Sequence, residues 1–279
     1  MPVIPELSLP SGARMPAFGL GTWRMGEDRR RRAEETDAIR HALDLGYPLL
    51  DTAEMYGEGG AEEAVADALA GRRDKVYLVS KVYPHNATRA GAVAACERSL
   101  KRLRVERLDL YLLHWIGGTP FEDTIAAFER LKRDGKIADW GVSNFDRDDM
   151  AAWWRADGGR CGANQVMFNL ARRGVEFDLL PWMRERGVPV MAYSPLDQGP
   201  LLRHRALKAV ADRHGATPAQ VALAWLLGLP GVVVIPKSSN RARVAENLGA
   251  LDVKLTEADR AELDDAFPPP RRKQPLAMS

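Results

Sequence analysis

Eight times between residues 17 and 248 a short apolar run gives way to a stretch with helical spacing, and few folds accommodate that rhythm. The runs cover residues 17–22, 47–51, 76–81, 108–114, 137–142, 163–168, 188–194 and 232–236. They are continuous in apolar character, as strands covered on both faces should be. Between them, Ile39, Ala42 and Leu43 share one face of a helix over 34–45 that Gly46 stops. Val93, Cys96, Leu100 and Leu103 do the same over 91–103. Further helices are expected over 61–69, 124–133, 146–154, 177–185 and 240–248, and over 205–227, where Thr217-Pro218 restarts the helix with Thr217 as N-cap. Eight βα units in roughly 250 residues predict an α/β protein of the (β/α)8 TIM-barrel class. A doubly wound sheet usually has fewer units and needs a Gly-rich first loop. Here Gly19-Leu20-Gly21-Thr22-Trp23 lacks the third glycine of a dinucleotide fingerprint, with Arg24 in its place.

Residues 3–16 have alternating character and the turn Pro10-Ser11-Gly12, which predicts a short N-terminal β-hairpin. Residues 256–267 read as an extra C-terminal helix, and 268–279, rich in Pro and Arg, as an irregular tail. The chain is expected to form a single (β/α)8 barrel domain over 1–279. Its net charge of +2 (40 basic and 38 acidic residues) sets up no global field for nucleic acid or a membrane surface. Arg29-Arg30-Arg31-Arg32 is the one dense basic cluster; Glu27, Asp28, Glu34 and Glu35 flank it, and it reads as a solvated loop or helix start. Cys96 and Cys161 have neither metal nor redox spacing. With no bilayer-length apolar stretch and no signal-peptide pattern, a cytoplasmic protein is expected.

Function in such a barrel sits at the C-terminal ends of the strands. Those ends carry Asp51, Lys81, His114, Ser143-Asn144, Gln165, Tyr193-Ser194 and Lys237-Ser238. Each alone has a plain reading as a loop-bordering polar residue; seven on one face read as a site. Tyr56 follows Asp51 by five residues, just before Gly57-Glu58-Gly59-Gly60, whose glycines would let backbone come close to a ligand. A free tyrosine, with a pKa of roughly 10, is a poor donor and acceptor at neutral pH. A neighbouring Lys81 ammonium would lower that pKa, a buried Asp51 would keep Lys81 charged, and His114 would bond or polarise a substrate oxygen. This suits carbonyl reduction, where an oxygen gains a proton as its carbon gains hydride. Metal hydrolysis would want clustered ligands, but His41, His204 and His214 fall on or beside helices and His85 in a loop, so no metal is expected. Nucleophilic hydrolysis lacks GxSxG.

The motifs resemble an aldo-keto reductase along nearly the whole chain. They are Gly21-Thr22-Trp23, Asp51-Thr52-Ala53 with Tyr56-Gly57, Lys81, His114, Ser143-Asn144-Phe145, Asn164-Gln165, Tyr193-Ser194-Pro195-Leu196, and Ile235-Pro236-Lys237-Ser238 with Arg243 and Glu246-Asn247. The resemblance implies a tetrad of Asp51, Tyr56, Lys81 and His114 with Tyr56 as general acid, and NADPH extended across the barrel mouth. It implies that Ser143, Asn144 and Gln165 hold the carboxamide, that Tyr193 stacks on the nicotinamide, and that Lys237, Ser238 and Arg243 grip the 2′-phosphate. Gly21, Thr22, Trp23, Asp51, Ser194, Leu196, Ile235, Glu246 and Asn247 complete the implied cofactor set. Trp23, Tyr56, Tyr83, His114, Trp115 and Phe145 are expected at the substrate. Asn169-Leu170-Ala171-Arg172-Arg173-Gly174 looks like a bacterial subgroup that reduces small reactive aldehydes such as methylglyoxal, and the tail is expected to be too short for an elaborate pocket wall. The expected function is a monomeric NADPH-dependent reductase of small aldehydes, aromatic aldehydes and some ketones; the alternative is an NADPH-binding regulatory subunit with little turnover.

Overall fold

The structure, a computed structural model, describes residues 3–278. Its first elements, β1 (Glu6–Ser8) and β2 (Arg14–Pro16), pair antiparallel as the turn residues predict. Eight parallel strands follow in sequence order: β3 (Leu20–Gly21), β4 (Leu49–Asp51), β5 (Tyr77–Val82), β6 (Leu108–Leu113), β7 (Ile137–Ser143), β8 (Asn164–Met167), β9 (Val190–Tyr193) and β10 (Val232–Val234). The last meets the first: Gly19 N donates to Val234 O at 3.0 Å, Val234 N to Ala17 O at 2.9 Å and Gly21 N to Pro236 O at 3.0 Å. The sheet therefore closes on itself as a (β/α)8 barrel, which leaves no edge open.

Closure divides the strand side chains between two cores, because successive residues point to opposite faces. Leu49, Val79, Leu110, Leu112, Ala163, Met191 and Val233 face inward, and Leu9 and Met15 of the hairpin pack beneath them as a floor. Leu50, Leu78, Tyr111, Leu113, Val142, Val190 and Val232 face outward under the helices. At the floor, Ser11 Oγ donates to Asp139 Oδ2 at 2.7 Å, tying the hairpin to the start of β7.

The outer ring comprises α1 (Arg32–Asp44), α2 (Gly60–Leu69), α3 (Arg89–Leu103), α4 (Phe121–Arg133), α5 (Arg147–Arg155), α6 (Leu179–Glu185), α7 (Arg205–His214), α8 (Pro218–Leu227) and α9 (Arg241–Leu248), with α10 (Glu257–Ala266) beyond. In α4 the physics is plain: Thr124, Ile125, Phe128 and Leu131 share the buried face, acids stand in the first turn and bases in the last. The stretch expected as helix over 205–227 is two helices, because Gly215 takes a left-handed φ of 58° and Thr217 caps α8 with Gln220 in a capping box. The first core strand is shorter than the apolar run from 17 to 22, its regular part being Leu20–Gly21. Residues 268–278 hold no helix or strand; Lys273 Nζ pairs them with Asp148 at 2.6 Å and Asp146 at 3.4 Å. Among the described residues no helix is long and apolar enough to cross a membrane.

Candidate active site

The alternation that fills the barrel with leucine and valine also delivers its top layer. Along β4 Leu49 points inward, so Asp51 does too; along β5 Val79 is followed inward by Lys81; along β6 Leu110 and Leu112 are followed by His114. Ala163 precedes Gln165 and Met191 precedes Tyr193 in the same register. Polar residues at strand ends thus converge over an apolar column.

They meet around Lys81, which is fully buried. Its Nζ lies 2.9 and 2.8 Å from the two Asp51 oxygens, 2.8 Å from Thr52 O and 3.2 Å from Tyr56 Oη. An ammonium without those partners would cost several kcal/mol to bury. Burial pulls the Lys81 pKa below its ordinary value, and Asp51 opposes that. Gln165 Nε2 adds a donor to Asp51 Oδ1 at 2.7 Å, and Thr22 Oγ1 donates to Asp51 O at 2.9 Å. Behind the lysine, Ser80 Oγ donates to Glu62 Oε1 at 2.6 Å, and Arg102 Nε to Glu62 Oε2 at 2.6 Å.

The expectation that Lys81 lowers the Tyr56 pKa is corrected here. Burial, then the Asp51 carboxylate, holds that hydroxyl well above its usual range. The Lys81 ammonium, 3.2 Å from the phenol oxygen, does not outweigh that burial. Burial, with the Lys81 charge adding to it, holds His114 well below the ordinary histidine value. His114 packs edge-on to Tyr56 with centroids 5.7 Å apart, and its buried Nδ1 has no partner among the described residues.

The glycines after Tyr56 serve the loop rather than a ligand. A Cβ at Gly57 would fall on Gly26, as would one at Gly60, and Gly57 takes a φ of +57°. The loop after β3 and the loop after β4 therefore interlock backbone to backbone, which fixes where Tyr56 stands.

A cavity of about 550 Å³ opens over this cluster. Gly21, Trp23, Asp51, Tyr56, His114, Trp115, Ser143, Asn144, Gln165, Tyr193, Ser194, Leu196, Ile235 and Lys237, all anticipated from sequence, line it. Tyr193 Oη donates to Asn144 Oδ1 at 2.9 Å, and Asn144 Nδ2 to His114 O at 3.1 Å. Asn144, Ser194, Asp197 and Gln198 all hold left-handed backbone, a cost of order 1 kcal/mol each that collects at this mouth.

Other anticipated residues lie elsewhere. Phe145 is fully buried, its ring 5.5 Å from both Phe121 and Trp153 in the outer core, so it does not face the cavity as expected. Tyr83 is outside the cavity wall and stands edge-on to Trp115 at 5.6 Å. Thr22 is buried as a brace for Asp51. Ser238 is buried beside the mouth, Arg243 is exposed in the first turn of α9, and Glu246 and Asn247 lie further along that helix. The wall also includes Arg24, Met55, Gln198 and Met278, which the sequence reading missed. Arg24, Met55 and Gln198 adjoin motif residues in the loops after β3, β4 and β9, a signal that was available. Met278 had none, and it corrects the expectation that the tail adds little to the wall. Among the described residues no group of three or more His, Cys, Asp or Glu is placed to hold a metal.

The family profile of the aldo/keto reductases matches residues 17–267. Methylglyoxal reductase YeaE of Escherichia coli (strain K12) is 50% identical over 270 residues, 95% of either chain. Glyoxal reductase of Bacillus subtilis (strain 168) is 35% identical, over 92% of this chain and 91% of that one. The crystal structure of an aldo-keto reductase from Klebsiella pneumoniae in complex with NADPH superposes with a TM-score of 0.95 at 48% identity, covering 99% of this chain and 100% of that one. A strand-end cluster built on a buried lysine, and these likenesses along nearly the whole chain, agree: the protein belongs to the aldo/keto reductase family.

Proposed function

We propose that this chain is an NADPH-dependent reductase of small aldehydes, methylglyoxal among them, with Tyr56 as proton donor. The observation that carries the reading is the phenol of Tyr56, 3.2 Å from a buried ammonium and on the wall of a cavity it shares with His114. Relatives named for methylglyoxal and glyoxal reduction, and a neighbour holding NADPH, support the substrate class and cofactor.

The residues fit that cofactor. Lys237 is partly buried, burial lowers its pKa, and no carboxylate comes within ion-pair distance of it among the described residues. An unmatched cation beside the first turn of α9 suits the 2′-phosphate, with Ser238 and Arg243 adjacent. Ser143, Asn144 and Gln165 offer donors and acceptors for a carboxamide, and Tyr193 a ring face. When bound, the nicotinamide supplies the hydride.

The chain's own residues manage the proton. Tyr56, held neutral by its raised pKa, keeps its proton until the substrate oxygen gathers charge, then donates it. Lys81 stabilises the phenolate left behind, and Asp51 holds Lys81 in line. His114 is neutral, and an orphan N–H is costlier than an orphan lone pair. The proton therefore belongs on Nε2, which donates to the substrate oxygen and orients it.

The same reading takes the protein as a single barrel working as a cytoplasmic monomer. Its exposed large apolar residues are scattered, and two of them, Met55 and Met278, border the cavity. Size-exclusion chromatography tests the oligomeric state. The direct test of function is the initial rate of cofactor oxidation with NADPH and NADH in parallel over methylglyoxal and benzaldehydes. Fast, NADPH-selective turnover is expected. Tight NADPH binding without turnover would sink the enzymatic reading.

A further inference from the structure

Of the four consecutive arginines that lead into α1, the last three go to different partners. Arg30 closes on Asp28, with Nη2 and Oδ2 3.0 Å apart, and Arg32 reaches Asp67 at 2.7 Å and Glu63 on α2. Those contacts shape the turn and join two helices. Arg31 turns the other way: its Nη2 donates to Ser239 Oγ at 3.0 Å, across 208 residues of sequence. Ser239 lies between Ser238 and Asn240, the N-cap of α9, inside the segment that carries Lys237 and Arg243.

Besides Arg241, which pairs with Asp37 at 3.0 Å, three cations thus gather at one helix start: Arg31, Lys237 and Arg243. Burial chiefly disfavours the Lys237 ammonium; the Arg31 charge adds to that, while Glu35 opposes it. The acid nearest Arg31 is Glu34 at 3.5 Å, and both side chains are about half exposed, so water screens the pair. Arg31 Nη1 makes no hydrogen bond among the described residues, and Arg243 makes no side-chain ion pair there. Guanidinium groups matched this loosely, with N–H donors to spare, are suited to grip phosphate oxygens.

We infer that Arg31 is a further cofactor-recognising residue, which the loop between β3 and α1 supplies to the 2′-phosphate of the nucleotide. Ser239 holds the guanidinium at the segment, and its remaining donors are left for a phosphate that Lys237 and Arg243 would also hold. A nucleotide lacking that phosphate gains nothing from Arg31, so the residue sets preference rather than general affinity. The inference rests on the reading of Lys237 and Arg243 given above.

The test is fluorescence titration of the intact protein and of Arg31→Gln, Arg31→Lys, Arg30→Gln and Lys237→Met with NADPH, NADH and adenosine 2′,5′-bisphosphate. Arg31→Gln should weaken NADPH and the bisphosphate about five- to tenfold, the worth of one charge-assisted contact at a partly exposed site. It should leave NADH unchanged; Arg31→Lys should recover part of the loss, and Arg30→Gln should match the parent. Arg31 is exposed, so these variants should fold. If Arg31→Gln spares NADPH, or weakens both cofactors alike, while Lys237→Met loses the preference, the role of Arg31 is overturned and the reading of the segment stands. If Lys237→Met also keeps the preference, both fall.

Discussion

The two ends of the barrel treat buried charge in opposite ways. At the floor, Asp139 meets Lys132 at 2.6 Å and Ser11 at 2.7 Å, and Asp109 meets Arg73 at 2.8 Å and the Leu78 N–H at 2.7 Å. Each floor carboxylate is answered by a cation and a neutral donor, and Leu9 and Met15 pack below the apolar column. At the mouth, Lys81 is saturated but its surroundings are not: His114 Nδ1 is buried without a partner and Lys237 has no matching carboxylate among the described residues. Five left-handed non-glycine residues, Arg24 with Asn144, Ser194, Asp197 and Gln198, collect there too. The floor answers its charges, leaving only a neutral group, the buried Tyr77 hydroxyl, without a partner among the described residues, whereas the mouth leaves a cation open for a ligand to meet.

The largest effect that separates the ends is on turnover. Tyr56→Phe should lower kcat for methylglyoxal by about 10² to 10⁴, the usual worth of a positioned proton donor, with NADPH affinity nearly kept. Asp139→Asn at the floor should leave kcat within about twofold. Steady-state kinetics on both variants checks this, and equal losses would erase the distinction.

Stability should divide the ends next. Lys81→Met leaves Asp51, a carboxylate 2% exposed, with the Gln165 donor but no cation, and should cost about 3–5 kcal/mol in urea denaturation. Lys132→Met also leaves a buried carboxylate with one neutral donor, but the Lys132 side chain is 36% exposed and its place admits water to Asp139, so a smaller loss of about 1–2 kcal/mol is expected. A larger loss at Lys132 would place the stability-bearing pair at the wrong end.

How much of this was legible in the sequence follows from which physics is local. Eight apolar runs and their polar tips are local patterns, so the barrel and the residues Asp51, Lys81, His114 and Gln165 could be read directly. Phe145 could not, because Asn144 turns left-handed with a φ of 60° and the next side chain enters the packing between Phe121 and Trp153. Met278 reaches the mouth by tertiary anchoring. Arg173 holds Asp264 and Phe267 O at 2.6 Å each, and Lys273 holds Asp148, so a distant loop and helix steer the tail. The direction of the Tyr56 pKa failed for a related reason: sequence named its charged neighbours but not how deeply the fold buries the phenol. Arg31 was hidden by flanking acids that, once folded, pair with it only weakly.

The unmatched cation gives a third, smaller contrast. Lys237→Met should weaken NADPH about 10- to 100-fold and leave NADH nearly unchanged. The apo protein should lose no more than about 0.5 kcal/mol, since no ion pair is broken. Marked destabilisation would mean that the mouth, like the floor, had already matched its charge.

The smallest effect tests the open demand of His114 through pH. Burial, then the Lys81 charge, sets its folded pKa well below the unfolded value of about 6.5. Below that pH the unfolded chain binds a proton that the folded chain refuses, so stability is complete above pH 6.5 and is lost as pH falls towards the folded pKa. Between pH 7.5 and 5.5 one such group should remove about 1 kcal/mol. His114→Gln should remove that part of the slope while the other histidines, common to both proteins, cancel in the difference. Parallel stability curves for the two would mean that His114 accepts its proton in place. The mouth would then hold a partner for the imidazolium, and the contrast with the floor would narrow to Lys237 alone.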